Sequence, residues 1–456
     1  MKIVDPILII SLLFPLMHCH TEKEEKSITQ RLPELADQVR AEFLHAWHGY
    51  KQYAWGHDWL KPLSKSYRDW HGVSLYITPV DAFDTMKLMG LNAEAEEART
   101  LILQNLNFDH DILVQNFEIN IRLLGGLLSA YQGDGDQRFL DLATDLGNRL
   151  LPVFNSPTGM PYVNVNLKTG KTSGHVNDPA EIGTLIVEFG TLSRLTGNPV
   201  YFDKAKRALV ALFERRSPID LVGTTIDIET GQWVNKTCHV SGMIDSYFEY
   251  LLKGALLFND DDLKRMWETH IAAINKYLAD DSDAGLWYGH VDMDTGERVA
   301  TRFGALDAFF PAVLTLAGDA ERAARLQQSC FAMWTLHGIE PEQMDYRTKE
   351  VLDPSYVLRP ENIESAYYLY RATGDEAYLR MGETYLTSLI AHCRTEAGYA
   401  ALKSVITKEQ DDNMESFFLS ETLKYLYLLF APAETLDFNS VIFTTEAHPL
   451  QRPKTR

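Results

Sequence analysis

The chain has 456 residues, 45% of them hydrophobic, enough for a large buried core. Forty-three lysines and arginines against 63 acids give a formal charge of −20. That balance argues against nucleic acid as a partner, since phosphate binding needs a basic surface, and suits a neutral polar substrate or a cation.

At the N-terminus, Met1-Lys2-Ile3-Val4-Asp5 leads into an apolar run over 6–17. The run is too short to span a bilayer and reads as the core of a signal peptide over 1–19. Leu16-Met17-His18-Cys19 gives two readings, lipidation of Cys19 or plain cleavage nearby, so membrane association is expected only through an N-terminal lipid anchor. A tether over 20–37, one domain over 38–450 and a tail over 451–456 complete the expected plan. The protein is expected to be an exported monomer: periplasmic, cell-surface or secreted, or in the ER lumen of a eukaryote. The other cysteines are Cys238, Cys330 and Cys393. They lack metal-type spacing, and their number allows one disulfide with one thiol left over. Asn235-Lys236-Thr237 is a glycosylation sequon.

From Val80 onward one helical unit recurs about seven times. The joints Gly135-Asp136, Gly197-Asn198, Asn259-Asp260, Gly318-Asp319 and Gly374-Asp375 are 62, 62, 59 and 56 residues apart. An apolar helix precedes each joint: 117–131, 181–195, 242–258, 304–316 and 361–371. A more polar one follows, as over 137–150, 199–212 and 376–389. Helices over 80–89 and 415–430 complete seven apolar ones. A helix apolar all round is buried, and the amphipathic partners suit an outer ring. Short joints make neighbours antiparallel. The expected fold is therefore all-α, a toroid of seven helix pairs, because one pair cannot bury its apolar face alone. Gly-turn hairpins, such as Gly223–Asp227 with Gly231–Val234, are expected to decorate its mouth.

Parallel inner helices would gather Glu118, Glu181, Asp245, Glu361 and Glu415 at one end. Glu118 and Arg122 share a face at i,i+4, and Pro360 suits the first helical position, placing Glu361 at a helix start. A lone first-turn acid is explained by the helix dipole alone; five at one end are not. Carboxylates mixed with Phe117, Phe417 and Phe418 suit a sugar, and opposed carboxylates serve glycoside hydrolysis as acid and base. The stretch Val441–Leu450 is strand-like. It is either a plain edge hairpin or a segment threading the toroid, and then Thr445 and Glu446 among carboxylates suit a hard cation such as Ca²⁺.

Five segments in order carry a resemblance: 41–50 (AEFLHAWHGY), 116–127 (NFEINIRLLGGL), 358–361 (LRPE), 414–418 (MESFF) and 444–449 (TTEAHP). They resemble glycoside hydrolase family 47, the class I α-1,2-mannosidases, over about residues 38 to 450. Asp245–Lys253 and Phe309–Pro311 look most like its ER degradation-enhancing mannosidase-like branch. The resemblance implies an (α/α)7 barrel plugged by a C-terminal hairpin, with Ca²⁺ at its base. It also implies removal of terminal α-1,2-linked mannose from mannose-rich glycans with inversion. Glu118 would be the general acid, acting through a water, and Glu361 the general base. Thr445 would bind Ca²⁺ by hydroxyl and carbonyl, with Glu446 beside it in the metal site. Arg122, Arg359, Glu364, Glu415, Phe417 and Asp245 would bind substrate. Cys330 and Cys393 match the family's disulfide.

Two departures stand out. Counting seven residues back from Pro311 for a further catalytic aspartate lands on Gly304. Asp307, three residues later, either replaces it or only shapes the pocket, and Arg302 falls where ER-type members carry a selectivity arginine. Asp345 stands where a pocket histidine is usual. A mannose-binding, lectin-like protein that has lost its chemistry at Gly304 is therefore the rival reading. A calcium-free hydrolase or lyase of the same architecture is the third.

Overall fold

The computed structural model describes residue 1 and residues 26–282 and 285–453. The expected signal peptide, Cys19 and the last three residues of the tail lie outside the described residues. The expected tether is helical from Ile28 on. Ser27 caps the helix Ile28–Tyr53 and exchanges hydrogen bonds with Gln30 in a capping box, and Ile28, Leu35 and Ala36 are buried.

The Gly-Asp joints are helix punctuation. Gly135, Gly197, Asn259, Gly318 and Gly374 all have left-handed φ, between 54° and 88°, a conformation that stops a helix cheaply only at glycine or asparagine. At four joints the following aspartate (Asp136, Asp260, Asp319, Asp375) accepts backbone N–H bonds as the N-cap of the next helix. One dipeptide thus ends an inner helix and starts an outer one.

Seven apolar helical segments follow one another: 77–88, 116–134, 179–196, 245–258, 306–316, 361–373 and 418–430. Each packs on the next, and the last packs on the first. Outside them lie Asn92–Asn105, Gln137–Leu150, Val200–Phe213, Asp261–Tyr277, Ala320–His337 and Glu376–His392. Helix Ile28–Tyr53 packs on Leu423–Phe430 as the seventh outer member. Two inner helices open into π turns, Asn120–Leu124 and Phe418–Thr422. Such turns cost helical regularity and are frequent at functional sites.

Three-stranded antiparallel sheets join neighbouring units. Four hairpin tips share one design. Asn166, Asp227, Asp292 and Asp345 each accept the N–H groups two and three residues on. A left-handed residue follows in each: Gly170, Gly231, Gly296 and, in the fourth, Lys349. Asp345 is therefore a turn residue on a hairpin, not a pocket residue. In that same sheet Gly304 pairs with Gln343, and a Cβ on Gly304 would lie 2.0 Å from the Glu342 carbonyl oxygen.

The Cys330–Cys393 disulfide implied by the resemblance is absent: Cys238, Cys330 and Cys393 are all free and buried. Cys330 lies within one outer helix and Cys393 caps another, and burial pushes both thiols up, so both stay protonated.

His270 on an outer helix is locked neutral against the inner ring. One ring nitrogen faces the Tyr247 hydroxyl at 2.9 Å and the other the Asp220 carbonyl at 2.8 Å. Burial pushes its pKa down to about 4. Above its ordinary value both folded and unfolded chains hold it neutral. As pH falls below that, the unfolded chain gains a proton that the folded one refuses. His270 alone therefore costs up to roughly 3 kcal/mol of stability as pH falls from 6.5 to about 4, while the buried acids with raised pKa values act in the opposite direction over the same range. We expect denaturant titrations to show His270→Gln gaining stability relative to wild type as pH falls through this window.

Candidate active site

A cavity of about 300 Å³ opens where the inner helices begin. Glu118 enters it from the first turn of its helix. Asp245 and Glu361 are the first residues of theirs. Thr445 and Glu446 arrive from the turn between strands Val441–Phe443 and Pro449–Gln451. Asp245, Glu361, Glu421 and Thr445 also border a smaller space, about 50 Å³, together with Glu249 and Glu364. Helix N-termini favour anions, which is why so many carboxylates are tolerated at this end.

Arg122 organises one wall. Its Nε donates to Glu118 at 2.9 Å, and Nη1 donates to Glu446 at 2.6 Å and to Ser416 Oγ at 3.1 Å. Arg359 organises the opposite wall, gripping Glu342 at 3.0–3.1 Å and lying 3.8 Å from Glu361. Both guanidinium groups lie near the Phe417 ring, at 5.5 and 5.8 Å. Phe417 thus contacts both arginines and lines the cavity.

Negative charge exceeds positive charge on the floor. Burial is the main cause that raises Glu361 and Asp245 to about 7 and Glu364 to about 8. Burial, with like charges around them, pushes Glu421 and Glu446 well above the ordinary carboxylate range. Lys253 reaches Glu249 and lies 4.0 Å from Glu364, but no cation reaches Glu421 among the described residues. The Thr445 hydroxyl and carbonyl make no hydrogen bond among the described residues, although its N–H is held by Tyr250.

The structure brings Glu118, Glu361, Arg122, Arg359, Phe417, Asp245, Thr445 and Glu446 to one cavity and puts Glu364 on its floor. Glu415 is not on the wall; it accepts from Asn413 at 2.9 Å and acts on both arginines through its charge. Asp307 is also off the wall. It is buried, and its Oδ2 accepts the Gly304 N–H at 3.0 Å. Leu306 and Asp245 occupy the cavity edge in its place. Arg302 lies on an exposed strand position outside the cavity.

Sequence reading missed several residues. Glu421 sits in a helix apolar all round, the criterion that singled out the other acids, and so was within reach. Asp178, with Glu181 beside it, lines the rim. Beneath the site, His448 bridges Asp84 at 2.7 Å and Asp81 at 3.1 Å, and Lys424 holds Asp84 at 2.6 Å and the Ala447 carbonyl at 2.7 Å. Burial works against the His448 cation, but the two aspartates outweigh it and raise the ring to about 9. No local pattern signals that network, since its parts lie over 300 residues apart.

The profile of glycosyl hydrolase family 47 matches residues 42–452. The chain belongs to glycosyl hydrolase family 47. Its relatives include alpha-mannosidase I MNS5 of Arabidopsis thaliana, 36% identical over 97% of this chain and 82% of the relative. ER degradation-enhancing alpha-mannosidase-like protein 2 of Mus musculus is 39% identical, over 91% of this chain and 77% of the relative. Among solved structures, the alpha-1,2-mannosidase from Trichoderma reesei superposes with a TM-score of 0.85 at 29% identity, over 92% of this chain and 99% of that one. As a family 47 member the chain is a glycoside hydrolase. No helix among its described residues is long and apolar enough to cross a membrane.

Proposed function

We propose that this family 47 chain is an exported, calcium-dependent α-mannosidase that hydrolyses terminal α-1,2-linked mannose on mannose-rich glycans with inversion. The closed array of seven helix pairs is read as the (α/α)7 barrel, with the 441–451 hairpin as its plug. The observation that carries the reading is one cavity shared by Glu118, Asp245, Glu361 and Thr445.

The donor set fits calcium. Thr445 offers two oxygens that make no hydrogen bond among the described residues, near Glu421, which no cation reaches among them, and hard oxygen ligands are what Ca²⁺ takes. No group of three or more His, Cys, Asp or Glu among the described residues is spaced to hold an ion directly. Thr445 would therefore be the protein's direct anchor, with carboxylates such as Glu446 and Glu421 acting through water. Bound there, the ion would supply a hard Lewis-acidic centre for sugar hydroxyls.

The protein groups supply the proton movements. Glu361 takes a proton from water as the water oxygen bonds to the anomeric carbon. The bond from that carbon to the leaving sugar oxygen breaks, and that oxygen gains a proton delivered through water from the Glu118 side. Phe417 covers an apolar sugar face, and Arg122 and Arg359 hold the carboxylates in place. The lectin-like reading rests on a catalytic aspartate lost at Gly304. Asp245 on the cavity wall fills the role of that third acid and supports the enzyme. Asp245→Asn is expected to lower initial rates by about 10²-fold or more, and Asp307→Asn by less than about tenfold.

Incubation with α-1,2-mannobiose, with and without EDTA, tests the whole reading. Free mannose should appear, stop on chelation and return with added Ca²⁺. Full activity in EDTA would remove calcium from the account, and binding without release would select the lectin.

A further inference from the structure

Thr445 must present two oxygens to the cavity, yet it lies in a short turn far from the inner helices in sequence. A chain of directional bonds holds that turn. The Thr445 N–H donates to the Tyr250 hydroxyl at 3.0 Å. Tyr250 in turn donates to Glu188 Oε1 at 2.6 Å. A phenol has one proton to give, so with Glu188 taking it the oxygen is left to accept from Thr445. The other oxygen of Glu188 accepts from Asn120 Nδ2 at 3.1 Å, and that amide also donates to the Thr184 carbonyl at 3.1 Å. Asn120 lies in a π turn, Glu188 and Tyr250 in the next two inner helices.

Glu188 and Tyr250 are fully buried and neither lines the cavity. A carboxylate buried this deeply costs several kcal/mol unless its oxygens are hydrogen-bonded. Its two donors come from different helices, so the arrangement locks three consecutive units to one peptide group. A valine or leucine at 188 would serve plain packing better. We propose that Tyr250 and Glu188 are positioning residues for the cation site, fixing the Thr445 peptide so that its hydroxyl and carbonyl stay free for the ion. This rests on the calcium reading given above.

The test is calcium titration calorimetry on the full chain, with melting curves with and without calcium. Tyr250→Phe keeps the ring and deletes the oxygen. It should weaken calcium affinity by about tenfold or more and shrink the calcium-induced rise in Tm. Glu188→Gln keeps an acceptor for the phenol but sets its NH2 against the Asn120 Nδ2 donor, so its loss should lie between wild type and Glu188→Ala, which should follow Tyr250→Phe. A merely structural role lowers the calcium-free Tm but leaves the calcium-induced rise intact. Wild-type affinity with an undiminished rise in Tyr250→Phe overturns the proposal, and the same result in Glu188→Ala does so if Tyr250→Phe does not fold. Thr445→Ala separates the two levels. If it loses calcium while Tyr250→Phe does not, only the positioning role fails. If Thr445→Ala binds like wild type, or wild type binds no calcium, the calcium reading fails and takes this proposal with it.

Discussion

Glu361→Gln is expected to lower mannose release by about 10³-fold while α-1,2-mannobiose still binds. Glu361 opens its helix directly after Pro360, and its Oε2 is buried without a hydrogen-bond partner. That oxygen is free to receive a proton from water, whereas its neighbours Glu446 and Glu118 are engaged by Arg122. Glutamine has the same shape and fills the same space, so the cavity and its arginines should persist. It cannot take the proton, so the attacking water stays neutral. Initial rates and calorimetric binding measured on the same preparation separate the two effects. Turnover within about tenfold of wild type would remove Glu361 as the base.

Gly304→Asp is expected to damage the fold rather than add a catalytic acid. A Cβ there meets the backbone oxygen of Glu342 at 2.0 Å, and the Glu342 carbonyl carbon lies 3.1 Å away. Both atoms belong to the backbone just before the neighbouring strand Gln343–Asp345, which pairs with 302–304 through Phe303–Met344 and Gly304–Gln343. Backbone cannot rotate aside as a side chain can, so the strands must separate and lose their ladder. A new carboxylate would also land in a buried position, beside buried Asp307. The combined cost is put at about 3 kcal/mol or more, the range of severe core substitutions. Thermal melting should show a Tm lower by about 5 °C or more, scaled from ~2–4 °C per kcal/mol in smaller domains. A variant that melts like wild type would show that the sheet opens more easily than its contacts imply.

The helix pairs were legible because each joint carries its own chemistry: a left-handed glycine or asparagine, then an aspartate cap. Glu118, Asp245 and Glu361 were legible because an acid at the start of an apolar helix has one outlet, the mouth. Counting back from Pro311 did not lead to an acid on the cavity wall. The segment before Pro311 is not one continuous helix; strand 302–304 gives way to a short turn at Leu306–Phe309 before the helix proper. Helical spacing therefore pointed to Asp307, whose carboxylate folds back onto Gly304, while Asp245 from the preceding unit reaches the wall. The support beneath the site was not legible. Asp81, Asp84, Glu188 and His448 acquire meaning only once the 441–451 hairpin is seated among the inner helices, and no local pattern specifies that seating. The disulfide implied by the resemblance is not formed in the structure, where Cys330 and Cys393 are both free.

The most direct measurement is proton NMR of α-1,2-mannobiose with the calcium-loaded protein, read before mutarotation mixes the anomers. The account predicts free mannose that appears first as the β-anomer, because water activated by Glu361 attacks opposite the departing sugar. First-formed α-mannose, or bound disaccharide that stays intact, would contradict it.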